Sequence, residues 1–188
     1  MPSPPRSLAD ALRQGQPFRS PAQEALLGLF RTADDLRRQA ALRFEAHGIT
    51  TQQYNVLRIL RGAGAGGLAV GQIAERMVER TPGVTRLVDR LVDAGWVDRD
   101  RSADDRRVVV CRLKDAGRDL LAVLDPTVEG MEEELLGSLT EEEQVQLTTL
   151  LDRIRAELPE LEAPGCEASD GATDPDANHT RTDNGART

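Results

Sequence analysis

Apolar residues recur at helical spacing through most of this 188-residue chain, and one Gly-aromatic exit leads into a single pair of short β-prone runs. Long amphipathic segments lie towards both ends. Together these observations predict a mostly α-helical fold built around a winged helix-turn-helix. Residues 1–19 hold five Pro and Gly among polar residues and are expected to form a flexible N-terminal arm with a short helix at Leu8 to Arg13. The ordered domain opens at Ser20, where Ser20, Pro21 and Gln23 supply an N-cap, a first-turn proline and a capping-box partner. From there Leu26, Leu29, Phe30, Ala33, Leu36 and Ala40 predict a long amphipathic helix over about 21–46, ended by His47 and Gly48. Thr50 with Gln53 repeats the capping box for a helix carrying Tyr54, Leu57 and Leu60.

The glycine-rich run Gly62 to Gly67 cannot belong to a helix interior and predicts a loop. Val70 to Met77 follows as a short helix with Ile73, Ala74 and Met77 inward. Thr81 followed by Pro82 is expected to cap a further helix that runs to Ala94 and is closed by Gly95. In it Val84, Leu87, Val88 and Leu91 fill one arc, leaving Thr85, Arg86, Asp89 and Arg90 on the other. Trp96 to Arg99 and Arg107 to Leu113 predict the strands of a hairpin around the polar turn Asp100 to Arg106. Helical spacing returns over residues 115–137 and 141–158, the latter capped by Thr140 with Glu143 and lined by Leu147, Leu150, Leu151, Ile154 and Leu158. Residues 161–188, rich in Asp, Ala, Thr, Gly and Asn, predict a disordered acidic tail. Residues 20–160 therefore form one domain, with a lobe at about 50–113 between terminal helices at about 21–46 and 115–158.

Composition narrows the function classes. The longest apolar run is the five residues Leu120 to Leu124, whereas a membrane span needs about twenty. The opening MPSPPRSLAD has no apolar stretch behind its charges, so no secretory signal is expected and the protein is placed in the cytoplasm. Two cysteines, Cys111 and Cys166, and two histidines, His47 and His179, supply neither a disulfide framework nor a four-ligand zinc site; no metal and no cofactor are expected. The net charge of −8 conceals an asymmetry: residues 1–75 and 76–118 each carry +3, and residues 119–188 carry −14. A basic module beside an acidic one leaves a polyanionic partner open. With only Phe18, Phe30, Phe44, Tyr54 and Trp96, a stacking platform for single strands or RNA is poorly supplied.

Motifs that look catalytic fail on context. Gly62, Gly64 and Gly67 match a dinucleotide fingerprint in spacing, but a helix precedes them where a strand is required. His47 is the one imidazole of the ordered region and stands at a helix end, where capping explains it. Cys111 follows Val110 in a strand and reads as a small buried hydrophobe. The runs Glu132 to Glu134 and Glu141 to Glu143 read as solvated faces, and no reaction is proposed.

The order helix, short helix, helix, hairpin over residues 50–113, behind the long helix at about 21–46, suits duplex DNA. A helix with small residues in its first turn enters a major groove, with Arg86 and Arg90 one turn apart facing base edges or phosphates. The hairpin tip places Arg101, Arg106 and Arg107 where the neighbouring minor groove would pass. Composition alone leaves a second reading open, in which these arginines are a solvated surface interleaved with Asp89, Asp93, Asp104 and Asp105.

The stretch TPGVTRLVDRLVDAGWVDRDRSADDRRVVVCRL, Thr81 to Leu113, closely resembles the multiple-antibiotic-resistance regulator (MarR) family in recognition helix, Gly-aromatic-Val exit and wing. GITTQQYNVLRIL and LAVGQIAERM are similar to its two preceding helices, and KDAGRDLL to the start of its long post-wing helix, so the resemblance covers about Leu26 to Leu158. Asp105-Arg106-Arg107 matches the family's Asp-x-Arg wing motif. The resemblance implies that Arg107 is the minor-groove arginine and Asp105 the acid supporting it, with Thr81, Thr85, Arg86, Arg90, Arg101 and Arg106 completing the DNA-binding set. Two departures are Val70, where a Ser or Thr often caps the short helix, and Lys114-Asp115 in place of the usual Thr.

The same resemblance implies N- and C-terminal dimerisation helices, a homodimer on a pseudo-palindromic operator, and a repressor released by a small aromatic or phenolic ligand. Apolar stripes at both chain ends, which the small lobe cannot cover, agree with a dimer. One branch of the family senses peroxide through a cysteine near the start of its first helix, which this chain lacks, so a small ligand is expected as the trigger. The family's ligand cleft adjoins the first two helices, which makes Phe44, His47, Tyr54 and Arg58 the candidate effector residues, with Arg43 nearby; packing in the core is the competing role for Phe44 and Tyr54. From another function class, a protein-interaction module that has lost DNA binding is the alternative.

Overall fold

The computed structural model describes residues 7–80, 82–101 and 109–159. It is mostly helical with one small antiparallel sheet: α1 (Leu8–Ala11), α2 (Pro21–Glu45), α3 (Thr51–Ala63), β1 (Leu68–Ala69), α4 (Val70–Arg76), α5 (Val84–Asp93), β2 (Val97–Arg101), β3 (Val109–Leu113), α6 (Asp115–Leu136) and α7 (Glu141–Ala156). One compact unit ends at Gln144 and a second begins at Val145, inside α7. Among the described residues no helix is long and apolar enough to cross a membrane.

Local chemistry sets the boundaries. Ser20 Oγ accepts the Gln23 N–H at 3.2 Å, while the Gln23 side chain reaches past the cap to accept the Arg19 N–H at 2.7 Å. Thr50 and Gln53 close a reciprocal capping box at the start of α3, and Thr140 with Glu143 does the same for α7. Gly48, at φ 70, turns the chain after α2, with His47 in the turn.

Three boundaries differ from the sequence expectation. The glycine run is not wholly a loop: Gly62 lies in the last turn of α3, and Gly64–Gly66 form a 3₁₀ turn. Helix α5 begins at Val84, with Gly83 as N-cap at φ 92, so the expected start at Thr81-Pro82 is corrected; Pro82 sits in the preceding turn and Thr81 lies outside the described residues. Asp100 and Arg101 belong to strand β2 rather than to the turn, paired with Val110 and Val109 of β3. Residues 102–108, including Asp105, Arg106 and Arg107, lie outside the described residues.

The sheet differs in topology as well, by strand β1, which sequence periodicity did not indicate. It pairs antiparallel with β3 (Leu68 opposite Cys111, Ala69 opposite Val110), giving the order β1-β3-β2. Gly67 makes this possible. At φ +66 it carries the chain so close to β3 that a Cβ would meet the Cys111 carbonyl oxygen at 2.4 Å.

The core of the first unit gathers α3, α4, α5, α6 and the sheet. Val56, Leu57, Leu60, Ile73, Val88, Leu91, Cys111, Leu121 and Leu124 are fully buried. Cys111 is thus the small buried hydrophobe expected, and burial pushes its thiol above its usual pKa. Helix α6 runs unbroken through Pro126. In the second unit, α7 continues to Ala156 with Val145, Leu150 and Ile154 exposed.

Candidate nucleic-acid interface and adjoining cavity

Helix α5 places its side chains as the 3.6-residue period requires. Val84, Val88 and Leu91 are buried, whereas Thr85, Arg86 and Arg90 stand in solvent. Arg86 and Arg90, four residues apart, share one face and have no ion-pair partner among the described residues. Asp89, on the same arc, is different: its carboxylate accepts from Arg99 Nη1 on β2.

The alternation along β2 extends this sorting of charge. Val97, Arg99 and Arg101 share one face and Asp98 and Asp100 the other. Asp98 lies 3.4 Å from Lys114 Nζ, and Asp100 lies 3.8 Å from Arg112 Nη1. Every acid on β2 is therefore offset by a base from β3 or the residue after it. Arg101, exposed at the end of the strand, has no ion-pair partner among the described residues. The surface interleaves acids and arginines, as the composition suggested; the acids at positions 89, 98 and 100 are paired, Asp93 at the end of α5 is exposed without an ion-pair partner among the described residues, and Arg86, Arg90 and Arg101 stay open to a polyanion. Sequence reasoning missed Arg99, because its partner lies in another element and only the strand register brings the two together.

A cavity of about 320 Å³ adjoins this lobe and is lined by residues that include Phe44, Tyr54 and Arg58. Phe44 and Tyr54 stack with ring centroids 4.5 Å apart and planes 25° from parallel, and both are buried, so they pack in the core and border the cavity at once. Burial, opposed by Arg61, raises the Tyr54 pKa. His47 does not line this cavity; it is exposed, its Nε2 3.3 Å from Thr127 Oγ1 of α6. Arg43 pairs with Glu134 of α6, so it too is engaged elsewhere.

Residues 47–108 match the family model described as MarR family. The transcriptional regulator PecS of Dickeya dadantii is 32% identical over 117 residues, 61% of this chain and 70% of PecS. Among solved structures, a MarR transcription factor from Planctomyces limnophilus is 41% identical over 73% of this chain and 99% of its own, with a TM-score of 0.56. The chain belongs to the MarR family of transcriptional regulators. The MepR–DNA complex of S. aureus, 28% identical with a TM-score of 0.63, covers 69% of this chain and 96% of its own. This MarR-family chain therefore has the winged helix-turn-helix fold, with β2–β3 as its wing, and its family is one of transcriptional regulators.

Proposed function

We propose that this regulator binds a pseudo-palindromic duplex operator as a homodimer, acts as a cytoplasmic repressor, and is released by a small aromatic or phenolic ligand. The observation that carries the DNA reading is the sorting of charge on α5 and β2, where Asp89 is held by Arg99 and Arg86 and Arg90 remain open. Thr85, Arg86 and Arg90 are assigned to the major groove, with Thr81 beside them. Arg101, Arg106 and Arg107 are assigned to the wing, with Asp105 supporting Arg107. MepR, a relative seen in complex with DNA, supports the same use of the fold.

The dimer is supported by apolar side chains left in solvent on the terminal helices. Leu26, Phe30 and Leu42 of α2 are 52%, 63% and 64% exposed, and Leu150 and Ile154 of α7 are 52% and 48% exposed. Large apolar residues repeated along helix faces call for a partner surface. The ligand reading rests on the cavity by Phe44, Tyr54 and Arg58, where Glu79 and Glu132 also line the wall; an aromatic side with more carboxylates than cations suits a small neutral phenolic ligand better than an aromatic acid, and His47 is withdrawn from the lining.

The test is a mobility shift with duplex from the chain's own upstream region across a salt series. The slope of log affinity against log salt should be steeply negative, by about −0.9 per phosphate neutralised. A flat response on the best duplex would favour the protein-interaction module instead. Small neutral phenols added to the bound complex should release the DNA.

A further inference from the structure

The connection between α4 and α5 decides where the recognition helix sits, and little apolar packing holds it. Met77 is buried, but Val78 is 78% exposed, and no regular element spans the described residues between Arg76 and Val84. Polar links hold it instead. The Val78 N–H donates to Oδ1 of the buried Asn55 at 3.2 Å. One carboxylate oxygen of Glu79 accepts from Gln52 Nε2 of α3 at 3.1 Å, and the other meets Arg37 Nε of α2 at 3.0 Å. A single carboxylate thus ties the approach to α5 to two other helices.

Glu79 also stands where two cavities meet. The cavity beside Phe44 and Tyr54 and a second, of about 580 Å³, bordered by Arg37, Arg38 and Thr50, share Thr51, Gln52 and Glu79 as lining. A side chain that enters either cavity's wall and fixes the recognition helix is placed to make one depend on the other.

We propose that Glu79 is a positioning residue for DNA recognition: its bonds to Arg37 and Gln52 hold the entry of α5 in the DNA-binding geometry, so operator affinity depends on an ion pair that makes no DNA contact. This rests on the DNA-binding reading above. Base contacts tolerate displacements of only about 0.5 Å, so loosening the connection weakens recognition before it weakens the fold. Arg37 is 59% exposed and Glu79 34%, so water still screens the pair and its contribution to global stability is small.

The experiment measures affinity and salt slope for a duplex selected by the wild-type protein from a randomised pool. Glu79→Ala and Arg37→Ala should each weaken binding roughly three- to tenfold. The double variant should be no weaker than Glu79→Ala, and the salt slope and melting temperature should stay at wild-type values. The exchanged pair Arg37→Glu with Glu79→Arg should recover most of the affinity, since the Gln52 amide can turn its oxygen toward a guanidinium. Arg38→Ala, whose partner is Asp34 on the same helix, is the unchanged control. Wild-type protein that selects no duplex would refute the DNA-binding reading itself. Wild-type binding with Glu79→Ala within twofold, additive losses, an exchanged pair that recovers nothing, or a slope about one unit shallower in Arg37→Ala would overturn the role of Glu79 alone.

Discussion

At the scale of single residues, what distinguishes the arginines of α5 and β2 is whether an acid has already taken them. Arg99 is held by Asp89, and Arg86 is not held by any described residue. Arg86→Ala should therefore relax base preference, by roughly 1–3 kcal/mol if its contact is bidentate to guanine. Arg107→Ala should instead weaken binding most on operators with A·T-rich flanks, where narrow minor grooves attract arginine. Competition assays against single-base operator variants separate the two outcomes, and equal, sequence-independent losses would contradict the assignment. The exposure of Arg86 and Arg90 was legible in the sequence, because four residues is one helical turn. The neutralisation of Asp89 was not, since it depends on strand register.

Two buried weak acids of another kind should make the fold less stable in alkaline solution. Burial raises the pKa of both the Cys111 thiol and the Tyr54 hydroxyl above the values of the unfolded chain. Each holds its proton more tightly when folded, so its contribution is complete below the unfolded pKa and is lost as pH rises through the folded one. Stability should be level from neutral to mildly alkaline solution and fall above about pH 9. Denaturant midpoints across that range check this, and Cys111→Ala should make the first part of the decline shallower.

At the scale of elements, the helices were legible because caps and periodicity are local signals. Ser20, Thr50 and Thr140 each mark the start where the structure has it. What escaped was set by glycine conformation and by strands too short for a period. The two residues of β1 have no alternation to read, and Gly83 rather than Thr81 begins α5 because its left-handed φ redirects the chain. Gly67 and Gly83 should respond differently to alanine. Both have positive φ, but a Cβ at Gly83 meets nothing within 4 Å, whereas at Gly67 it meets backbone at 2.4 Å. Gly83→Ala should cost about 1 kcal/mol, from conformation alone. Gly67→Ala should cost more, about 2 kcal/mol or above, because β1 must part from β3. Unfolding curves of the two variants compare them directly, and equal costs would show that β1 pairing adds nothing.

At the scale of the whole molecule, the end helices carry apolar surface that the folded monomer leaves in water. The sequence showed the stripes on α2 and α7; the structure adds that Phe30 and Leu150 are more than half exposed. A second copy of the chain is the partner that the family resemblance implies. Charge introduced there opposes association without touching the core of the first unit. Leu150→Glu with Ile154→Glu, or Phe30→Glu alone, should therefore yield monomer by sedimentation. Operator affinity should fall with dimerisation, because half of the phosphate and base contacts leave with the second subunit. Removing Gly165 to Thr188, which the sequence assigns to an acidic tail, should leave both dimer and operator binding intact. A variant that stays dimeric with Glu at 150 and 154 would move the interface away from α7. A tail deletion that abolished dimerisation would place an essential contact in the acidic segment.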